Sequence, residues 1–157
     1  TFDPNIRPEM LGDGGAAPIL EPVLRRCSIL FPGEDELRLL AQRDDIEAAA
    51  HALISTNPRL IIALKQGARG CTVFTTGERI TVPSNPVRAV DPTGAGDCFD
   101  AAFLCARLDG KDLETSARIA SAAGALNAQA FGPMEGRISP QTIAEMMRQS
   151  ATGERAS

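Results

Sequence analysis

The sequence predicts an α/β fold with a largely parallel sheet and one antiparallel hairpin. Three observations carry this. Strand-like runs alternate with helical runs up to Val90, and helices cluster after it. Leu60-Ile61-Ile62-Ala63-Leu64 is apolar throughout, as a strand covered on both faces of a parallel sheet must be. Polar loops follow predicted strand ends at Asp3 to Arg7, Lys65 to Gly70 and Asp91 to Asp97. In open α/β sheets, ligands bind outside the carboxyl ends of strands.

Thr1-Phe2 is a strand end, followed by the proline-flanked loop Asp3-Pro4-Asn5-Ile6-Arg7-Pro8 and the breaker Gly12-Asp13-Gly14-Gly15. From Ala16 to Arg26, Ile19, Leu20, Val23 and Leu24 recur at helical spacing; Cys27 to Phe31 is a short buried strand. Glu34 to Arg43 is a helix with acids in its first turn, where the dipole favours them. Asp44-Asp45 opens a helix to Thr56, which Asn57-Pro58 ends. After the Leu60–Leu64 strand, Cys71 to Thr76 and Arg79 to Val82 form a hairpin about Gly77, and Val87 to Val90 is a further strand. A helix follows the Asp91–Asp97 loop and another runs from Asp112 to Gln129, with a break at Gly132-Pro133. The last helix has Ser139 as N-cap and Pro140 at its first position; the tail from Ser150 is predicted disordered.

The 157 residues suffice for one core of ordinary size. Lys+Arg 16 against Asp+Glu 20 gives net −4, without the basic face that nucleic acid requires, and the absence of Trp and Tyr argues against base-stacking platforms. No apolar run approaches the ~20 residues of a membrane span, and no signal peptide is visible. Cys27, Cys71, Cys98 and Cys105 lie singly in apolar segments, which predicts buried, reduced thiols in a cytoplasmic protein. The one histidine, His51, has no partner motif and is predicted to be a surface or packing residue. A start at Thr1-Phe2-Asp3-Pro4, inside a predicted strand, suggests a piece of a longer protein.

The stretch Asp91-Pro92-Thr93-Gly94-Ala95-Gly96-Asp97 stands between a strand and a helix of small and apolar residues. Free N–H groups at a helix N-terminus bind anions, and glycine lets the backbone approach closely. An aspartate there repels a phosphate it merely holds, but suits proton removal from a nucleophile while the N–H groups hold the transferring phosphoryl group. The bland alternative is a first-turn aspartate favoured by the dipole, after an ordinary glycine turn. The stretch is no P-loop, and Phe99 stands where a dinucleotide fingerprint wants Gly or Ala.

From Asp91 to Leu104 the sequence resembles the second signature of the ribokinase-like (PfkB) carbohydrate kinases. Asp3-Pro4-Asn5-Ile6-Arg7-Pro8 is similar to a segment of fructokinases and 2-keto-3-deoxygluconate kinases, and Lys65-Gln66-Gly67-Ala68-Arg69-Gly70 to the family's nucleotide loop. The resemblance implies a three-layer α/β/α Rossmann-like domain, incomplete on its N-terminal side, with residues 1–149 as the nucleotide-binding and catalytic part. It implies transfer of the ATP γ-phosphoryl group to a sugar hydroxyl. Asp97 would be the base, and the N–H groups of Gly94, Ala95, Gly96 and Asp97 the anion hole. Lys65, Gly67, Arg69, Gly70 and Asn127 would meet the nucleotide, although Lys65 and Arg69 are equally readable as solvated loop charges. Glu36 would help place Mg²⁺ through water, but Gly33 stands where the family has Asn, and the dipole alone accounts for Glu34 and Asp35. A monovalent cation, K⁺, would sit near Asp91, Thr93, Ala130, Gly132 and Gly136, whereas Asp91 also suits a plain turn before Pro92. Asn5 and Arg7 would contact the substrate; Arg7 fits a sugar-acid carboxylate and equally a neutral sugar.

The same resemblance implies a homodimeric parent whose N-terminal half carries the lid and most sugar contacts, so this chain alone is expected to be inactive. The competing readings are a non-catalytic nucleotide-binding fragment and a kinase for a nucleoside or other small alcohol.

Overall fold

A computed structural model describes residues 1–6 and 15–153. The chain divides into two compact units: Thr1–Gln66 with Thr72–Ile80, and Gly67–Cys71 with the chain from Thr81 onward.

The first unit holds α1 (Ala17–Leu24), β1 (Ile29–Leu30), α2 (Glu34–Ala41), α3 (Ile46–Thr56) and β2 (Ile61–Lys65). It also holds most of β3 (Cys71–Phe74) and the start of β4 (Arg79–Val82). The strand order is β1-β2-β3-β4. β1 and β2 are parallel, with Ile29 opposite Ile61 and Leu30 opposite Ile62. Phe2 adds a parallel bridge to Leu30, and Gly33 one to Lys65. Three chain segments therefore leave the sheet at one edge, just after Phe2, Leu30 and Lys65, as a parallel arrangement requires.

β2 is buried along Ile62, Ala63 and Leu64, in keeping with its unbroken apolar run. α3 places Ala49, Ala50, Leu53 and Ile54 on its inner face, and Asp45 caps it by accepting the Ala48 N–H at 2.8 Å. These side chains join Leu30, Leu37, Leu40, Leu60, Ile62, Leu64 and Phe74 in one core. Each large one contributes about 1.5–3 kcal/mol on leaving water. α2 stops at Gln42, whose φ of 52° is left-handed.

The second unit holds α4 (Ala95–Leu108), α5 (Leu113–Ala128) and α6 (Pro140–Gly153). Small side chains let α4 and α5 approach closely: a Cβ on Gly124 would lie 3.0 Å from the Ala95 carbonyl oxygen. Phe99 and Phe103 stack with centroids 6.3 Å apart over a core rich in buried alanines. Asp112 caps α5 through the Thr115 N–H at 2.7 Å, and Ser139 precedes α6 as predicted, accepting the Thr142 N–H at 3.2 Å.

Several expectations change. Val87 to Val90 is irregular rather than a strand. The N–H groups of Val90 and Asp91 both donate to the Ala128 carbonyl at the end of α5, at 2.7 and 3.2 Å. Pro83, Pro86 and Pro92 remove ladder donors on either side. β3 stops at Phe74 because Thr75 begins the turn, its N–H donating to Glu78 at 3.0 Å. α6 continues to Gly153, beyond the residue 150 where the sequence places the start of a tail; residues 154–157 lie outside the described residues, as does the predicted breaker at 12–14. All four cysteines are free, but Cys105 is exposed. His51 is exposed. Among the described residues no helix is long and apolar enough to cross a membrane.

Candidate active site

In the second unit, α4 begins at Gly94, whose φ of 76° lies in the left-handed region. A side chain is excluded there on two counts. The backbone angle strains any L-residue, and a Cβ would sit 3.2 Å from Pro133 Cα and Met134 N. The turn before it closes when the Ala95 N–H donates to the Pro92 carbonyl at 3.1 Å. That commits Ala95, which the sequence placed among the anion-hole donors. Among the described residues the N–H groups of Gly94, Gly96 and Asp97 have no acceptor. Asp97 stands in the first turn of α4 with an exposed carboxylate, and its charge adds to burial in pushing the Cys98 thiol up. Three open donors and one exposed carboxylate thus share the start of one helix, an arrangement suited to holding an anion and accepting a proton.

Asp91 ties the loops behind this helix start together. Its Oδ1 accepts the Thr93 N–H at 2.9 Å and its Oδ2 the Gly132 N–H at 3.0 Å. A side-chain hydrogen bond from Thr93, then the backbone bonds from Thr93 and Gly132, hold its carboxyl below the usual range. Asn127, expected at the nucleotide, is instead fully buried on α5. Its Nδ2 donates to the Thr93 carbonyl at 2.8 Å, and its Oδ1 accepts the Gly136 N–H at 3.3 Å. A Cβ on Gly136 would lie 2.4 Å from Asn127 Cα, so the two backbones touch. Ala130 N–H donates to the Asn127 carbonyl at 3.1 Å. The predicted cation residues Asp91, Thr93, Gly132 and Gly136 are therefore brought into one hydrogen-bonded set, with Asn127 and Ala130 beside them.

The loop predicted to meet the nucleotide splits in character. Gly67 (φ 57°) is exposed, and a Cβ there would meet nothing within 4 Å. Gly70 is buried, and its glycine is demanded by the protein itself, since a Cβ would strike the Val82 carbonyl oxygen at 2.1 Å. Ser84 Oγ donates to the Ala68 carbonyl at 2.5 Å and pins the loop; Arg69 lies exposed on it.

In the first unit, a polar cluster lines the edge where the parallel segments leave the sheet. Lys65 Nζ meets Asp3 Oδ2 at 2.8 Å. Glu36 accepts the Gly33 N–H on Oε2 and the Ile6 N–H on Oε1, both at 2.7 Å. It caps α2 and anchors the Asp3–Ile6 loop at once. Gln66 donates to Glu34 Oε1 at 2.7 Å and accepts from Thr72 Oγ1 at 2.8 Å. Asn5 is exposed at φ 41°, its N–H 3.3 Å from Asp3 Oδ1; Arg7 lies outside the described residues. The Asp3–Lys65 and Glu34–Gln66–Thr72 links were missed from sequence, because partners far apart in the chain leave no spacing signal. Among the described residues no cluster of three His, Cys, Asp or Glu side chains could hold a metal by itself.

The profile of the pfkB family carbohydrate kinases matches residues 1–140. The chain belongs to this family. It is 32% identical over 136 residues to an uncharacterised sugar kinase of Archaeoglobus fulgidus, covering 87% of this chain and 52% of that protein. It is 31% identical over 140 residues to the ribokinase of Bacillus subtilis, covering 89% of this chain and 46% of the ribokinase. A protein from E. coli described as a candidate ribokinase II, solved in complex with ATP and Mg²⁺, matches with a TM-score of 0.88 at 36% identity, over 95% of this chain and 48% of its own. The chain thus spans about half the length of the curated relatives it matches. The expected ribokinase-like α/β fold is met, in part-domain form.

Proposed function

We propose that residues 1–149 of this pfkB chain are the nucleotide-binding and catalytic part of a cytoplasmic, homodimeric, ATP-dependent carbohydrate kinase. The observation that carries the reading is the start of α4, where the exposed Asp97 carboxylate accompanies the open N–H groups of Gly94, Gly96 and Asp97. The sugar hydroxyl oxygen attacks the γ-phosphorus and its proton passes to the Asp97 carboxylate. The new O–P bond forms as the bond to the bridging oxygen breaks, and ADP leaves. The N–H groups stabilise charge on the γ-phosphoryl oxygens, which is the main requirement of a transfer with little covalent chemistry. Gly67 offers open backbone to the nucleotide, Lys65 or Arg69 would lie near its phosphates, and Gly70 lets the loop pack against Val82.

Mg²⁺ supplies neutralisation of the β- and γ-phosphates when bound. Each Glu36 oxygen already accepts one backbone N–H and keeps a second lone pair, which suits holding a metal-bound water rather than the metal. The all-oxygen set of the Asp91 carboxylate with the carbonyls of Thr93, Ala130, Gly132 and Gly136 suits a hard cation such as K⁺. Asn5 and Arg7 would face the sugar, and Arg7 would pair with the carboxylate of a sugar acid.

The test is acceptor-dependent ADP release by the full-length protein with ribose, fructose, 2-keto-3-deoxygluconate and a nucleoside. Stimulation by one of the sugars supports the reading; stimulation by the nucleoside alone contradicts it.

A further inference from the structure

The anion hole at the start of α4 works only if its donors are aimed. The Thr93–Gly94 peptide supplies one of its donors, and a loop peptide is free to flip unless something holds it. No cis peptide bond occurs among the described residues, so the Thr93 C=O and the Gly94 N–H point in opposite directions across one planar unit. The carbonyl side of that unit is held by Asn127 Nδ2 at 2.8 Å.

Asn127 is itself immobilised. It is fully buried near the end of α5 and its Oδ1 accepts the Gly136 N–H, while Gly136 packs against its Cα with no room for a side chain. Only one orientation of the amide satisfies both partners, because one is an acceptor and the other a donor. Its neighbours on the helix, Ala122, Ala123, Gly124, Ala125, Leu126 and Ala128, carry no side-chain donor.

We infer that Asn127 is a positioning residue for phosphoryl transfer: it holds the Thr93 carbonyl inward and thereby aims the Gly94 N–H outward into the anion hole. This rests on the kinase reading above. Without the amide, the 93–94 peptide is released to rotate, and the hole loses one aimed donor while Gly96 and Asp97, set by the helix, keep theirs. Ground-state nucleotide binding, which uses other contacts, is spared; stabilisation of the transferring phosphoryl group is not.

The experiment compares full-length wild type with Asn127→Ala for turnover, for KM, and for affinity toward ADP alone and ADP with fluoroaluminate, a mimic of the phosphoryl group in flight. The expected result is a fall in kcat of about 10- to 100-fold, the size set by losing or misplacing one such donor. KM for ATP should stay close to wild type, and the affinity gained by adding fluoroaluminate should shrink by the same factor as kcat. Wild-type kcat in a folded variant overturns the inference. So does an equal loss of affinity for ADP and for the mimic, which marks a purely structural role. Should the alanine variant fail to fold, Asn127→Asp, which keeps the shape and the acceptor for Gly136 but removes the donor to Thr93, is read by the same ratio. Failure of the kinase reading is separate: wild-type protein would then release no ADP in response to any sugar.

Discussion

Replacing Gly136 by Ala tests how tightly the loop behind the anion hole is built. The added methyl would lie 2.4 Å from Asn127 Cα, 2.8 Å from Asn127 N and 2.8 Å from the Leu126 carbonyl oxygen. Ordinary contacts begin near 3.4 Å, so the loop and the end of α5 must part by about 1 Å. All three atoms are backbone, so no side chain can swing aside. Overpacking of this kind costs about 1–3 kcal/mol, and the rigid surroundings place it near the upper figure. With about 2–4 °C lost per kcal/mol in a domain of this size, thermal unfolding should fall by about 6–12 °C. Separating the backbones also breaks the Asn127–Gly136 bond, so kcat should fall in step. Gly77→Ala is the control, because its added methyl meets nothing within 4 Å, and it should leave the melting temperature almost unchanged. Equal melting temperatures for the two variants, measured by circular dichroism, would refute the packing argument.

Two further outcomes follow from the electrostatics. Asp91 and Asp112 both titrate lower in the fold than in the unfolded chain, Asp112 through the Thr115 backbone and side chain. Their stabilisation is therefore complete above the unfolded value of about 3.9 and is lost as pH falls through the lower folded value. Urea unfolding against pH should show this loss below about pH 4, and Asp91→Asn or Asp112→Asn should flatten that limb; an unchanged limb in both contradicts it. The part-buried Asp3–Lys65 pair should show a coupling of about 0.5–1 kcal/mol in a double-mutant cycle with Asp3→Asn and Lys65→Met, and zero coupling contradicts a stabilising contact.

Local signals carried much of the fold. The apolar run at Leu60–Leu64, the Asp45 cap and the Ser139-Pro140 start all act within a few residues, and the structure has each near its predicted place. Val87–Val90 failed because β-branched content says nothing about whether a neighbouring strand exists. Here the neighbour is the end of a helix, and Val90 and Asp91 share its Ala128 carbonyl. The Asp91–Asp97 motif was legible as a unit because a glycine turn opening a helix is local chemistry. The fate of its individual donors was not, since the Ala95 N–H is withdrawn by the geometry of the turn. Asn127 illustrates the limit most sharply. A lone amide in an alanine-rich helix is conspicuous, but whether it faces a ligand or the protein depends on loops at Thr93 and Gly136. The same holds for Gly70, whose need for glycine comes from Val82 rather than from a bound nucleotide.

The central claim is that Asp97 takes the proton of the acceptor hydroxyl. Asp97→Asn in the full-length protein keeps the shape of the α4 start and its N–H groups while removing the base. Turnover should fall by about 10²- to 10⁴-fold, the contribution of a positioned base, with ATP affinity by calorimetry retained. Full turnover in Asp97→Asn would contradict the account.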